Sequence, residues 1–386
     1  MINKLILPLW VTSAIALLLY SFTQVDLSLT LSQVSIWQGI QKFFQYIGYF
    51  NRPLSTVLFL GIIGIMFALY AWTMSLVRKK KVDANLLWKI IISISVILFF
   101  SYNAFSYDLF NYIFDAKIIT YYGQNPYEHK ALDYPGDPML SFMHWTHRTY
   151  PYGPVWLLLT VPLSFLGFGY FLLTFYLFKL LMVTSLIWSS FLIRKIMLKL
   201  GSDPVPAVAA FALNPLVLIE SLVSAHVDIV MIAFGLLGVL AFLEKKYIKS
   251  FVTLILSIAI KYATILLAPA IIVCGILKSG KDVFIYVLII SMVISVLLAT
   301  YRTNFQPWYL LAVFPFTALI QNKYFVAIPV FVLSAAALLQ YVPFLYLGNW
   351  DPPVPYVLNL IMVTSILVSA ALVLGWKFKR TILNIK

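Results

Sequence analysis

Apolar runs long enough to cross a bilayer as helices, about 20 residues each, recur from one end of this chain to the other. Between them stand short basic clusters: "RKKK" (Arg78 to Lys81), "RKIMLK" (Arg194 to Lys199), "EKKYIK" (Glu244 to Lys249), "KSGK" (Lys278 to Lys281) and "KFKR" (Lys377 to Arg380). This pattern points to an all-α, polytopic helical membrane protein, and the positive-inside bias puts the clusters on the cytoplasmic face. Only 10% of the residues are charged and 62% are hydrophobic, whereas a soluble domain carries about 25% charged residues. A soluble class is therefore excluded. The net charge of +14 comes largely from those loop clusters and forms no soluble basic face, so membrane lipids and not nucleic acid are the expected surroundings. The one cysteine, Cys274, can form no intrachain disulfide and reads as a small buried apolar residue. The start, "MINKLILPLWVTSAIALLLYSFT", lacks a small-residue cleavage site and reads as an uncleaved first span.

Counting from a cytoplasmic N-terminus, spans fall near Leu5 to Thr23, Leu54 to Leu76, Leu86 to Phe100, Tyr170 to Ile193, Pro204 to Leu222 and Val227 to Phe242. Others fall near Val283 to Thr300, Tyr309 to Ile320, Tyr324 to Val342 and Val357 to Trp376. After the first span, Trp37, Ile40, Phe43, Phe44 and Ile47 recur at helical spacing and predict a helix lying in the external interface. "VWLLLTVPLSFLGF", interrupted by Pro162, is expected as a short juxtamembrane or half-inserted helix, because two full crossings there would place "RKIMLK" outside. Ser250 to Leu277 is too short for two crossings and predicts a pair of broken or re-entrant half-helices, hence a cavity. The expectation is about ten full spans plus that pair, with both termini cytoplasmic and the polar loop reaching to about Pro154 external.

Polar chemistry gathers on the external side. All four histidines, His129, His144, His147 and His226, fall there, with Asp108, Asp115, Glu220, Asp228 and Arg302. In "SYDLFNYIFDAKIITYYGQNPYEHK", Asp108, Asn111, Tyr112 and Asp115 stand at i, i+3, i+4 and i+7, one face of a helix. A carboxylate shielded from water has a raised pKa and accepts a proton more readily, so these two are candidate bases. In "TYPYGPVW", Pro151 and Pro154 fix the backbone and Gly153 is expected to supply a conformation that other residues resist. Tyr150, Tyr152 and Trp156 could then wall a sugar pocket. His144 and His147 stand at i, i+3, a spacing able to chelate a metal, but no further ligands follow at a standard spacing. A divalent metal is thus not favoured, and no cofactor is assigned. Lys261 interrupts an apolar segment far from either basic flank and needs a counter-charge or water. Arg302 and Gln306, beside Trp308 and Tyr309, offer further donors at a membrane rim, and lysine with arginine suits a lipid phosphate.

"SYDLFNYIFDAKIITYYGQNPY", "YPYGPVW", "LNPLVLIESLVSAHVD", "LSIAIKYATILLAP" and "FQPWYLLAVFP" occur in that order. The set resembles the polyprenyl-phosphate-sugar-dependent glycosyltransferases of the GT-C superfamily, in particular the prokaryotic mannosyltransferase branch. The resemblance covers about residues 86 to 320. It implies a single integral membrane domain: two accessory spans with an interfacial helix in 1–85, a GT-C-like catalytic core in 86–320, and C-terminal spans in 321–386. It further implies an inverting enzyme that moves a hexose, mannose for this branch, from a polyprenyl-phosphate donor to a glycan, glycolipid or protein hydroxyl outside the cell membrane. Asp108 is then the counterpart of the base, with Asp115 in reserve. Lys261, Arg302, Gln306, Trp308 and Tyr309 become candidates for the donor phosphate and sugar. Asn111, Tyr112, Asn125, Tyr127, His144, His147, Arg148, Tyr150, Tyr152, His226 and Asp228 become candidates for the acceptor or sugar pocket. In "SAHVD" an alanine precedes the histidine where the family often has glycine. The alternative reading is a multi-pass transporter or lipid flippase, which would also use intramembrane charges. The one-sided placement of the charged residues favours the enzyme.

Overall fold

A computed structural model describes residues 2–383. The two ends expected to be cytoplasmic lie outside the described residues. The chain is helical, and its only extended pairing among the described residues is an isolated bridge between Lys130 and Thr149. The first helix, α1 (Ile2–Ser21), is followed by α2 (Ser35–Gln45) and α3 (Arg52–Arg78). On α2, the inward Gln41 and Gln45 side chains donate to the carbonyls of Leu29, Val25 and Asp26 at 2.7, 3.2 and 3.0 Å. Ile36, Ile40 and Phe43 remain exposed. A helix that spends its polar face on the neighbouring loop and turns its apolar face outward suits the interface position predicted from its spacing.

Next come α4 (Ala84–Phe99) and α5 (Asp108–Thr120), then α6 (Pro154–Leu166) and α7 (Phe171–Lys199). The short helix α6 is present as expected, but it runs on through Pro162 without a break. Continuing one helix past a proline is tolerable where neighbouring helices and local adjustments satisfy the freed carbonyl. The 29-residue α7 is longer than the predicted span, because "RKIMLK" forms its last turns and not a separate loop. Long basic side chains there can reach the headgroups while their stems stay apolar.

The centre of the molecule is built from α8 (Val205–Ala212), α9 (Pro215–Leu218) with a wider π-type turn over Ile219–Val223, and α10 (Asp228–Leu243). Residues 207–233 are all buried. The axis bends by 58° between Ala212 and Pro215. Proline has no amide hydrogen to offer, and the Asn214 side chain caps the new start by accepting from the Leu216 amide at 2.9 Å.

Then α11 (Tyr247–Ile258) and α12 (Leu267–Ile276) form two half-helices, joined by an extended Lys261 and a tight turn at Tyr262–Thr264. The broken pair expected from length is therefore present. After α13 (Lys281–Thr303), the segment predicted as a span over Tyr309 to Ile320 is instead a 3-10 turn at Pro307–Ala312 and the short α14 (Phe314–Ala318). Pro307 and Pro315 interrupt the helical hydrogen bonding, and the stretch is buried inside the bundle, which satisfies its backbone without a full crossing. The chain closes with α15 (Tyr324–Leu339), α16 (Val342–Leu347) and α17 (Val354–Leu383). Among the described residues, six helical segments are long and apolar enough to cross a membrane, and the bent α8–α9 pair makes a seventh. The polytopic helical architecture stands, with α4 and α10 as shorter apolar helices inside it.

Candidate active site

The buried centre carries more charge than an apolar bundle tolerates without pairing. Asp108, the first residue of α5, meets the loop before α10: its Oδ2 lies 3.6 Å from His226 Nδ1. On the other side of the ring, His226 Nε2 lies 3.3 Å from Glu220 Oε2. Neither contact reaches hydrogen-bond geometry, so both ring nitrogens and Glu220 Oε2 are buried without a hydrogen-bond partner. The attraction across them is carried by charge. The Tyr341 hydroxyl donates to Glu220 Oε1 at 2.8 Å. Trp308 stacks on the imidazole at a centroid distance of 4.0 Å.

Local backbone explains the aim of these groups. The wide turn over Ile219–Val223 ends with the Ser224 amide donating to the Ile219 carbonyl and the His226 amide to the Glu220 carbonyl, at 2.8 and 3.0 Å. Such π-type turns collect at functional sites. Ala225 takes the left-handed conformation, φ 60°, where an L-residue costs about 1–2 kcal/mol and glycine far less. That strain is the physical reason a glycine suits the position ahead of the histidine.

A second charged pair stands beside the first. Lys261 Nζ donates to both Asp228 oxygens at 2.9 and 2.7 Å and lies 5.6 Å from the centroid of the Tyr309 ring. The extended Lys261 segment is held by the start of α6 and the turn before it, because the amides of Gly153 and Val155 donate to the Ile260 and Ala259 carbonyls at 3.1 and 2.9 Å. At Gly153 the backbone is ordinary, φ −79°, so the expected special conformation is not what the position needs. A Cβ there would sit 2.2 Å from the Ala259 carbonyl oxygen, and the glycine serves close approach.

The face predicted on α5 is real. Asp108, Asn111 and Tyr112 are buried and Asp115 is half-buried. Tyr112 packs edge-on against Tyr152 and Trp156, both at 5.3 Å, while the Asn111 side-chain amide donates back along its own helix to the Tyr107 carbonyl at 3.2 Å. Burial drives the two carboxyls upward, but with different outcomes. For Asp108 it is outweighed by His226, then Arg148 and Lys261, and the carboxyl is held below its ordinary value. This reverses the expectation of a raised base, since a neighbouring cation favours the ionised form. For Asp115, burial with the charge of Asp108 prevails over Arg148, and the carboxyl rises to about 7. Burial pushes the His226 imidazole down, yet Asp108 and then Glu220 outweigh it and lift the ring to about 9. Lys117, a possible partner for Asp115, is committed instead to Asp137. Arg148 faces Asp108 and Asp115 electrostatically, and its Nη2 is buried without a partner.

Other candidates play local parts. Tyr150 donates to the Gly153 carbonyl at 2.8 Å and Tyr127 to the Tyr152 carbonyl at 3.2 Å. Asn125 caps an exposed turn by accepting from the Tyr127 amide and donating to Glu128. His144 sits against Tyr107, at 3.9 Å between rings, and His147 stays exposed beside Trp145. No group of three histidine, cysteine or acidic residues is placed to hold a metal ion among the described residues. Tyr309 shares a hydrogen bond with Thr303 at 2.7 Å, and Gln306 stands just ahead of the turn that carries Trp308. Arg302 is exposed at the end of α13. Three buried polar residues on or beside the wide turn were not among the site residues expected from sequence. Glu220 is fully buried, Tyr341 lies in the α15–α16 junction, and Lys179 donates from mid-α7 to Ser101 Oγ at 2.9 Å and to the Leu222 carbonyl. Of two cavities, one of about 150 Å³ is lined by Trp37, Tyr102 and Phe175, and one of about 440 Å³ by Tyr70, Arg78 and Gln321. Neither of these two is lined by Lys261, where the broken half-helices had suggested a hollow.

With this geometry in place, comparison with known proteins gives consistent answers. Over 221 residues the chain is 24% identical to alpha-(1->6)-mannopyranosyltransferase A of Corynebacterium glutamicum, a match that covers 53% of this chain and 45% of that relative. The chain thus spans less than half the length of the curated relative it matches. No solved structure matches. Residues 12–276 match the family described as alpha-(1->6)-mannopyranosyltransferase, N-terminal domain, a stretch that includes Asp108, Asp115, Glu220, His226, Asp228 and Lys261 but ends before Trp308 and Tyr341. On that match, the chain belongs to the alpha-(1->6)-mannopyranosyltransferase family.

Proposed function

We propose that this protein is an inverting glycosyltransferase that moves mannose from a polyprenyl-phosphate donor to an acceptor hydroxyl on the external face of the membrane. The observation that carries the reading is the Asp108 carboxylate, buried and 3.6 Å from an imidazole that is itself buried, at the head of a polar helix face. A glycosyl phosphate is already activated, so the protein need not create a leaving group. It must place an acceptor hydroxyl, remove its proton and stabilise the departing phosphate. In a single displacement the acceptor oxygen bonds to the anomeric carbon as the bond from that carbon to the phosphate oxygen breaks. The hydroxyl proton passes to Asp108. The low pKa of Asp108 keeps it ionised and ready at neutral pH, and the acceptor hydroxyl becomes acidic only as its oxygen bonds to carbon. Arg148, Lys261 and Arg302 are the cations available to the phosphate, and their electrostatic contribution is the largest expected term. No divalent metal has a role in this scheme.

The relative's name specifies an alpha-(1->6) mannosyl product. Carried to this chain, inversion then requires a donor with mannose β-linked to the phosphate. The test is transfer in proteoliposomes from labelled polyprenyl-phosphate-mannose to a panel of mannosides, glycolipids and peptides, with a nucleotide-linked mannose as the control donor. Transfer from the lipid donor alone with an inverted anomeric centre supports the reading. Transfer only from the nucleotide sugar, a retained configuration, or movement of a solute without transfer contradicts it.

A further inference from the structure

We propose that Glu220 and Tyr341 are positioning residues for the Asp108 centre, holding His226 as an imidazolium whose charge keeps the Asp108 carboxylate ionised in the buried site. This inference rests on the role given to Asp108 above. Its geometry is a line of contacts: Tyr341 hydroxyl to Glu220 at 2.8 Å, Glu220 to His226 at 3.3 Å, and His226 to Asp108 at 3.6 Å. Glu220 and His226 are fully buried, and Tyr341 and Asp108 are nearly so. A buried carboxylate with no cation is costly. Among the described residues the imidazole is the one basic group within 4 Å of either Glu220 or Asp108, so the two carboxylates share its charge. Trp308, stacked on the ring at 4.0 Å, covers its face and gains most when the ring is charged. The strained Ala225 and the wide turn before it fix the ring's approach.

Charged and titratable groups face the imidazole from the elements packed against it. Asp108 faces it from α5 and Glu220 from the turn before α10, with Tyr341 behind Glu220. Asp228, at the start of α10, is committed to Lys261. Arg148 and Lys261 act on Asp108. Two carboxylates therefore meet this ring, which is why it stays protonated up to about pH 9 and not to the ordinary histidine value of about 6.5. As pH rises through that point the ring loses its charge, and Asp108 and Glu220 face each other across a neutral imidazole.

The test is a titration of ¹⁵N-histidine-labelled full-length protein in nanodiscs, with the His226 signal assigned by its loss in His226→Gln. The native ring is expected to titrate near pH 9. Glu220→Gln keeps the shape and removes the charge, and should bring the ring to about pH 7, close to an unperturbed histidine. Tyr341→Phe should give a value between. His226→Gln removes the ring's charge at every pH, so the acid limb of kcat/KM for sugar transfer, which reports protonation of Asp108, should move to higher pH in that variant. A native ring that titrates at or below about 6.5 overturns the proposal. So does a Glu220→Gln ring that titrates where the native one does. If Glu220→Gln does not fold, the native titration and Tyr341→Phe still decide. Absence of sugar transfer by the native protein would count against the proposed function and leave the titration result unaffected.

Discussion

Lys261→Met is expected to damage stability as well as transfer, and its partner sets the size of the effect. Both hydrogen bonds from Lys261 go to one carboxylate, Asp228, at 2.9 and 2.7 Å. The Asp228 side chain is 2% exposed and that of Lys261 22%. Removing one member of a buried pair leaves the other unpaired, at a cost of about 3–5 kcal/mol. Asp228 opens α10, and the positive end of a helix offsets about 1 kcal/mol of that for a carboxylate. The single substitution should therefore cost about 2–4 kcal/mol. Asp228→Asn alone leaves a lysine that can still reach water, and should cost about 1–2 kcal/mol. The double variant leaves no buried charge and should cost little more than Asp228→Asn, giving a coupling energy of about 2–3 kcal/mol. Reversible unfolding of the four proteins in mixed micelles reads that coupling. Losses that simply add in the double variant would refute the claim that the pair acts as a unit.

Asp115→Asn should change how stability depends on pH. The folded carboxyl is raised to about 7 by burial, so the native chain binds more protons than the unfolded one between about pH 4 and 7 and loses stability as pH climbs through that window. The asparagine variant lacks this loss. Allowing for partial exposure, it should gain roughly 2 kcal/mol on the native protein at pH 8 and little at pH 4 in the same unfolding assay. Gly153→Ala would set a methyl 2.2 Å from the Ala259 carbonyl oxygen; a loss of about 1–3 kcal/mol from the forced shift and a raised KM for the lipid donor are expected. An unchanged melting profile would contradict the close approach. Ala225→Gly should be near neutral, because relief at φ 60° offsets the lost buried methyl. Ala225→Val should cost more than about 2 kcal/mol, and equal stability of the two variants would deny the strain.

What could be read from the sequence follows from the range of each signal. The helical face of Asp108, Asn111, Tyr112 and Asp115 depends only on spacing within one helix, and it forms. Lys261 announced a break and a need for a counter-charge because a lysine amid apolar residues has few other solutions, and both are present. The identity of the counter-charge, Asp228, is a tertiary fact with no local trace. The same holds for Trp308 on His226 and for Tyr341 on Glu220, whose hydrogen bond joins residues 121 apart. Gly153 stands out in the sequence for its φ freedom, yet its neighbour across space, Ala259, is the reason it is needed. The supposed span over Tyr309 to Ile320 misled because an apolar run reads alike whether it crosses lipid or lies inside a bundle. Pro307 and Pro315 were the local warning. The depressed Asp108 could not be foreseen from shielding alone, since the sign depends on whether His226 is near and charged.

Sugar transfer by Asp108→Asn, measured in the same proteoliposomes as binding of the polyprenyl-phosphate-mannose donor, tests the central claim most directly. Transfer should fall by about a thousandfold, within the range for loss of a general base, while donor affinity stays within about threefold of the native value. Turnover near the native rate in that variant would contradict Asp108 as the group that takes the acceptor's proton.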